Sequence, residues 1–247
     1  CQLILENDDK VSAQEVLALL EETEGVDIQR SGILRAAALK KLGRLPEAVR
    51  QLLPIGESNS CEWSELGMEV LSVVLAGPVD QWAEEMPDFA AFIQNCDRLG
   101  QRLPECAQPE RWPLAGLICA EFTVLAGGQD KQKLAEAEGI LIKLAGEGFD
   151  NDIDWLRCKA RLLMAKGEFL AASRAWGRIR AAGKAASGKQ SREWWRARFY
   201  EIQCWGQLAD TTGADVAHAV EVLESSFGDI PRFWAVKLDA LKDGANR

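Results

Sequence analysis

One histidine and one tyrosine are all that this chain has of each, beside three methionines. Any Ser-His-Asp or Cys-His mechanism would have to use that single histidine, His218. It stands in Ala217-His218-Ala219 in a helical pattern, with Asp215 and Glu221 about one turn to either side. It reads as a surface histidine among ion-pairing neighbours. The seven cysteines are odd in number and lack CxxC spacing, so neither a zinc site nor a complete disulfide framework is indicated. Cys119, Cys158 and Cys204 fall inside helical patterns, where cysteine acts as a small apolar residue. Cys96 and Cys106 flank a polar stretch and could pair in an oxidising compartment, two free thiols being the plainer reading. No apolar run reaches the ~18 residues of a membrane span, and no signal peptide is visible at the start. No stretch alternates with period two, so no sheet is expected.

What remains is an ordinary apolar content of 47%, a charged content of 27% and a net charge of −9. The charge is unevenly spread. Between Arg174 and Arg198 there are eight basic residues and one acid, Glu193, so this segment carries +7 and leaves −16 for the rest. The overall acidity argues against general nucleic-acid affinity. At 247 residues the chain is longer than a typical single-core domain of about 100–150 residues. A repeat array escapes that limit, because each repeat buries its face on its neighbours.

Helical periodicity dominates: Ala13, Val16, Leu17 and Leu20 stand at i, i+3, i+4 and i+7, and Ala137, Leu141 and Leu144 at i, i+4 and i+7. The periodicity predicts helices over 1–7, 12–24, 28–42, 45–53, 62–76, 79–98, 110–126, 130–146, 153–166, 168–182, 190–209, 213–227 and 230–243. Two stretches share one template. Leu39-x3-Gly43-x4-Ala48-x3-Leu52 recurs as Leu163-x3-Gly167-x4-Ala172-x3-Trp176. Small residues mark the period: Ala13 to Ala48, Ala48 to Ala83 and Ala137 to Ala172 are each 35 residues apart. The Ala83 copy is weak, because Pro87 replaces the large residue expected there. Two intervals are stretched, by irregular insertions near 98–113 and 181–190.

These residues resemble the tetratricopeptide (TPR) family, a helix–turn–helix repeat of about 34 residues. The resemblance covers 32–56 and 156–180 well and three further copies loosely. The proline that closes the family's repeats is missing. In that family the glycine makes the tight turn and the alanine lets the paired helices approach, roles that fall to Gly43 and Gly167, and to Ala48 and Ala172. The resemblance implies an all-α fold without sheet: a right-handed α-solenoid of TPR-like antiparallel helix pairs, about six hairpins and a terminal helix. It spans 1–247 as a single domain. An incomplete hairpin at each end predicts a fragment of a longer chain.

Three local patterns imitate chemistry. Gly183–Gln190 nearly matches a P-loop, but a helix precedes it and Gln190 stands where magnesium needs a hydroxyl. Asp150–Asp154 imitates a calcium loop, but Trp155 and Arg161 occupy its glycine and glutamate positions. Capping by Asp152 or Asp154 is the expectation there. Paired carboxylates such as Glu84-Glu85 have no apolar pocket around them to separate their pKa values. No cofactor, metal site or catalytic residue is expected.

The nine tryptophans are unusual beside one tyrosine. Trp155 and Trp176 sit at packing positions. Trp194 and Trp195, about 100° apart on a helix, cannot both face inward, which predicts one ring exposed or packed on a neighbouring repeat. In TPR-like arrays the first helix of each pair lines the inner groove. Counting from Gly167, and aligning Tyr200 more loosely, puts Arg157, Arg161, Trp194, Arg198 and Glu201 there. Arginines beside an aromatic suit an acidic or C-terminal carboxylate peptide. The resulting expectation is a non-enzymatic scaffold binding a partner protein or peptide in that groove. Alternatives are a helical regulatory or assembly segment of a larger enzyme or sensor, and anionic-polymer binding through the basic 174–198 segment.

Overall fold

In the computed structural model, residues 10–22, 28–58, 60–183 and 190–245 are described. The helix expected over 1–7 and most of the P-loop-like stretch lie outside them. Among the described residues there are thirteen α-helices and one 3-10 turn, and no strand. The helices divide between two compact units, Cys1–Ala126 and Gly127–Arg247.

The first unit holds α1 (Lys10–Glu22), α2 (Ile28–Lys41), α3 (Leu45–Gly56), α4 (Ser64–Ala76), α5 (Val79–Glu85), α6 (Phe89–Cys106), the 3-10 turn Pro109–Arg111 and α7 (Trp112–Gly127). Leu45, Ala48, Val49, Leu52 and Ile55 are buried along one stripe of α3, the 3.6-residue spacing of an amphipathic helix. They join Trp63, Leu71, Leu99, Leu103 and Phe122 in one core.

The second unit holds α8 (Lys131–Gly146), α9 (Ile153–Ala165), α10 (Phe169–Ala182), α11 (Arg192–Trp205), α12 (Gly213–Ser226) and α13 (Arg232–Ala245). Its core has one cluster around Trp176 and Ala172, and another around Trp194, Trp195, Val220 and Trp234.

The two template stretches form hairpins α2–α3 and α9–α10 with the same closure. Gly43 (φ +75°) donates its N–H to Lys40 O at 3.0 Å, and Arg44 donates to Leu39 O at 2.9 Å. Gly167 (φ +77°) donates to Met164 O at 3.0 Å, and Glu168 donates to Leu163 O at 2.8 Å. This is the Schellman pattern, which satisfies the last carbonyls of the first helix and needs a left-handed residue. Ala48 and Ala172 are fully buried. A Cβ added at Gly167 would meet nothing within 4 Å. Gly167→Ala is therefore expected to cost only the left-handed backbone penalty, about 1–2 kcal/mol. Urea denaturation checks this; no loss would mean the turn closes without that conformation.

A third turn has the same closure but not the full template. Gly148 (φ +92°) donates to Ala145 O at 3.0 Å and Phe149 donates to Leu144 O at 3.1 Å, joining α8 to α9. Leu144-x3-Gly148 matches the template's first half. The turn depends on that half alone.

Several expectations are corrected. The helix over 79–98 is two helices, because Pro87 pushes Met86 into extended backbone (φ −99°, ψ 113°). Ala83 is exposed, so the repeat does not carry a buried alanine there. The irregular insertion near 98–113 shrinks to a short 3-10 link. Helix α6 runs through Pro104 to Cys106 because Leu99, Gly100 and Leu103 are buried in the core. A proline in the last turn forfeits one bond, and tertiary packing outweighs it.

The Cys96–Cys106 pairing is also corrected. Both residues lie on α6 ten positions apart, about 15 Å along a helix axis. Cys96 is a buried free thiol, and Cys106 is bonded instead to Cys61.

Candidate interaction site

The five residues expected to line a groove all lie in the second unit, on α9 and α11. Asp152 starts α9 by accepting N–H bonds from Asp154 (2.8 Å) and Trp155 (3.2 Å), which makes the calcium-like stretch a helix cap. Trp155 is half-buried and its indole N–H donates to Leu141 O at 3.0 Å, tying α9 to α8.

Arg157 is only 6% exposed and Arg161 only 8%. The Arg157 guanidinium donates to Asp154 Oδ1 at 2.7 Å, one turn back on its own helix. Arg161 also has interactions within the fold. Neither offers an open guanidinium fork to a ligand.

Trp194 and Trp195 are both buried. Two rings 100° apart can both be covered because α11 is enclosed on more than one side, by α10 and by α12 and α13. Trp194 meets Trp195 edge to face at 4.9 Å between centroids, and Phe227 packs on both at 5.1 and 5.5 Å. Of the two expected outcomes, exposure or packing on neighbouring helices, it is the second that occurs, and both rings belong to the core.

Arg198 and Glu201 do come together, with each other and with Arg180. The buried Glu201 carboxylate accepts from Arg180 Nε at 2.8 Å and Arg198 Nη1 at 2.9 Å, both on Oε2. The Arg198 guanidinium also lies over the Trp205 ring, 5.0 Å from its centroid, a cation–π contact. Gly177 makes room on α10: a Cβ there would stand 3.2 Å from Glu201 Oε1. The carboxylate thus pins α11 against the backbone of α10, with both charges of the clamp supplied from within the fold. Burial, and then the Glu201 charge, push the nearby Cys204 thiol up to about 12. It stays protonated and behaves as an apolar core group, not a nucleophile.

The basic 174–198 segment is largely engaged in the same way. Arg178 donates to Asn151 Oδ1 at 2.8 Å and Arg196 pairs with Glu193 at 2.9 Å, while Arg180 and Arg198 hold Glu201. Arg174 and Arg192 are exposed. Lys184 and Lys189 lie outside the described residues. His218 is exposed on α12. Beside it, Asp215 closes a capping box with Thr212, whose hydroxyl and N–H hold its carboxyl below the usual range. Among the described residues no group of three or more His, Cys, Asp or Glu side chains is arranged to hold a metal ion. No described helix is long and apolar enough to cross a membrane.

The residues missed from the sequence surround a cleft of about 420 Å³ beside the Gly167 turn. Gly167, Glu168, Phe169, Leu170 and Arg174 form one side, and Gln207, Leu208 and Ala209 the other. Leu170 is 51% exposed, unusual for a leucine next to a core helix turn. Residue spacing carried no dependable signal for it: Phe169-Leu170 diverge by about 100° on their helix just as Trp194-Trp195 do, and only the packing leaves Leu170 uncovered while both tryptophans are buried.

Comparison with protein-family models, curated proteins and solved structures returned no match.

Proposed function

We propose that this chain is a non-enzymatic scaffold of TPR-like antiparallel helical hairpins, arranged as a right-handed α-solenoid, that binds a partner protein or peptide. The observation that supports it most is the recurrence of one hairpin. Hairpins α2–α3 and α9–α10 share the left-handed glycine, the two closing bonds and the fully buried alanine, 124 positions apart. Stacked hairpins bury their own cores and leave long surfaces made of neighbouring helices, which such arrays use for partners. The step from architecture to use is one of analogy.

Four of the five groove residues are interior and Arg198 is committed to Glu201, so the contact surface is assigned to the cleft beside Gly167. Phe169, Leu170 and Leu208 offer apolar area, and the exposed Arg174 guanidinium offers a fork to a carboxylate. A short peptide carrying a large apolar side chain and a nearby acid fits that chemistry. Selecting displayed peptides on the immobilised chain and titrating the winners tests it. The expected result is a convergent set of acidic–apolar peptides whose affinity falls at least tenfold in Leu170→Asp, with its melting midpoint unchanged. A tenfold change corresponds to about 1.4 kcal/mol. No convergent set, or full affinity in Leu170→Asp, would sink the proposal.

A further inference from the structure

The Cys61–Cys106 bond is one of three links that stitch the α3–α4 connection and the first turn of α4 to α6 and the turn after it. Glu57 pairs with Arg98, Cys61 bonds Cys106, and Glu65 pairs with Arg111 at 3.2 Å. On one strand of this seam the links fall every four residues, at 57, 61 and 65. The two ion pairs are exposed on both sides, where such pairs contribute about 0–1 kcal/mol. The covalent link therefore dominates the seam.

Beneath it sits the fully buried Trp63, two residues from Cys61. Its ring is wedged between Gly56 and Gly67, where an added Cβ would lie 3.3 and 2.5 Å from ring atoms. Leu103, one turn before Cys106, lines the same place, with Cδ2 3.5 Å from the Gly67 Cβ position. The bond thus holds closed the packing around one of the largest buried side chains of the first unit.

The cysteines separate by access. Cys61 is exposed and Cys106 half-buried, whereas Cys96, Cys119, Cys158 and Cys204 are buried and lie outside the disulfide. Burial raises the Cys96 thiol far above its ordinary value, and Cys204 is pushed up to about 12. Exchange proceeds through a thiolate attacking an accessible sulfur, so the four buried thiols are poor participants.

We propose that Cys61–Cys106 is a reversible thiol–disulfide exchange site for a small thiol, and that its state sets how tightly the α3–α4 connection and Trp63 are held against α6. An external thiolate R–S⁻ attacks the exposed Cys61 sulfur. The Cys61–R mixed disulfide forms, and Cys106 leaves with the electron pair as a thiolate that takes a proton from water. A second R–SH, as its thiolate, releases Cys61 and yields R–S–S–R, a two-electron reduction in all. The reverse reaction with a small disulfide restores the bond and gives two R–SH. This device is independent of the peptide-binding reading, and its test involves no partner.

The folded chain is incubated with reduced glutathione without denaturant, alkylated with iodoacetamide and peptide-mapped. Alkylation at Cys61 and Cys106, with none at Cys96, Cys119, Cys158 or Cys204, is expected. Oxidised glutathione should reverse it. Closing a 45-residue separation implies that reduction lowers the melting midpoint of the first unit by about 8 °C or more. The Cys61→Ser/Cys106→Ser variant should melt at the reduced value and not respond to glutathione. The proposal is overturned if both cysteines are free after oxidative refolding, if reduction needs denaturant, if buried thiols label equally fast, or if the midpoint does not move. The wild-type measurements decide the matter even if the double variant fails to fold.

Discussion

Trp176→Ala is expected to destabilise the second unit by about 3–5 kcal/mol, the range for removing a fully buried tryptophan. Trp176 has no exposed surface and sits among Leu156, Ala160, Leu163, Ala172, Ile179 and Ala197, contributed by α9, α10 and α11. Its ring stacks on Tyr200 at 4.9 Å between centroids, and its indole N–H donates to Met164 sulfur at 3.2 Å. The loss combines transfer free energy with a cavity that three helices cannot readily close. The equivalent position in the first hairpin is Leu52, also fully buried, so the hairpin itself tolerates a smaller residue. Trp176→Leu should accordingly cost less than Trp176→Ala. Urea denaturation with hydrogen exchange separates the units: α9–α11 amides should lose protection, while those of α3 and α6 keep theirs. An unchanged midpoint in Trp176→Ala would mean that the ring is not enclosed.

The double reversal Arg157→Glu with Arg161→Glu should unfold the second unit. If the two arginines faced an open groove, it would weaken binding and leave helicity intact. Both are buried, and Arg157 is bonded to Asp154. A glutamate in place of Arg157 would face that carboxylate with like charge, and the fold's own partners of both arginines would be stranded. Asp154 is itself 55% exposed, so the larger cost lies in placing carboxylates at two positions only 6% and 8% exposed, where each buried charge costs several kcal/mol and the two together rival the ~5–15 kcal/mol that hold a whole domain together. Circular dichroism at 25 °C should show lost helicity, in contrast to Leu170→Asp at the surface. Retained helicity and an unchanged melt would return these guanidinium groups to the solvent face.

Helix content and the closure of two hairpins were legible because they depend on near neighbours. Leu39 to Arg44 and Leu163 to Glu168 contain all the atoms of the Schellman turn, so the spacing of leucine and glycine suffices to read it. The same locality explains the turn at Gly148, which shares the template's leucine and glycine but lacks the alanine that only the next helix contact requires. Pro87 weakens the repeat in sequence, and in the structure its effect is larger, a break between α5 and α6. Pro104 misled in the opposite direction, because burial of Leu99 and Leu103 kept the helix intact across it.

The candidate site was much less legible. Arg157, Arg161, Trp194, Arg198 and Glu201 were placed on the expected helices, and the error lay in which way those helices face. Exposure depends on how many neighbours cover a helix, and α11 is covered by α10, α12 and α13. A helical wheel drawn for one helix carries no record of them. Nor does an excess of positive charge show whether its carboxylates lie inside the fold, as Glu201 does for Arg180 and Arg198.

By itself, then, the sequence determined that the chain is helical and where most of its helices run, and the repeated template marked the tight turns at Gly43 and Gly167 and the alanines Ala48 and Ala172 that follow them. Each is settled by interactions within about five residues or by one amphipathic stripe. Only the tertiary structure decided that Cys106 bonds Cys61, 45 positions away, that both Trp194 and Trp195 are core, and that Glu201 is clamped by two arginines. Those outcomes depend on which distant helices share a face. That is a property of packing, to which residue spacing along the chain is blind.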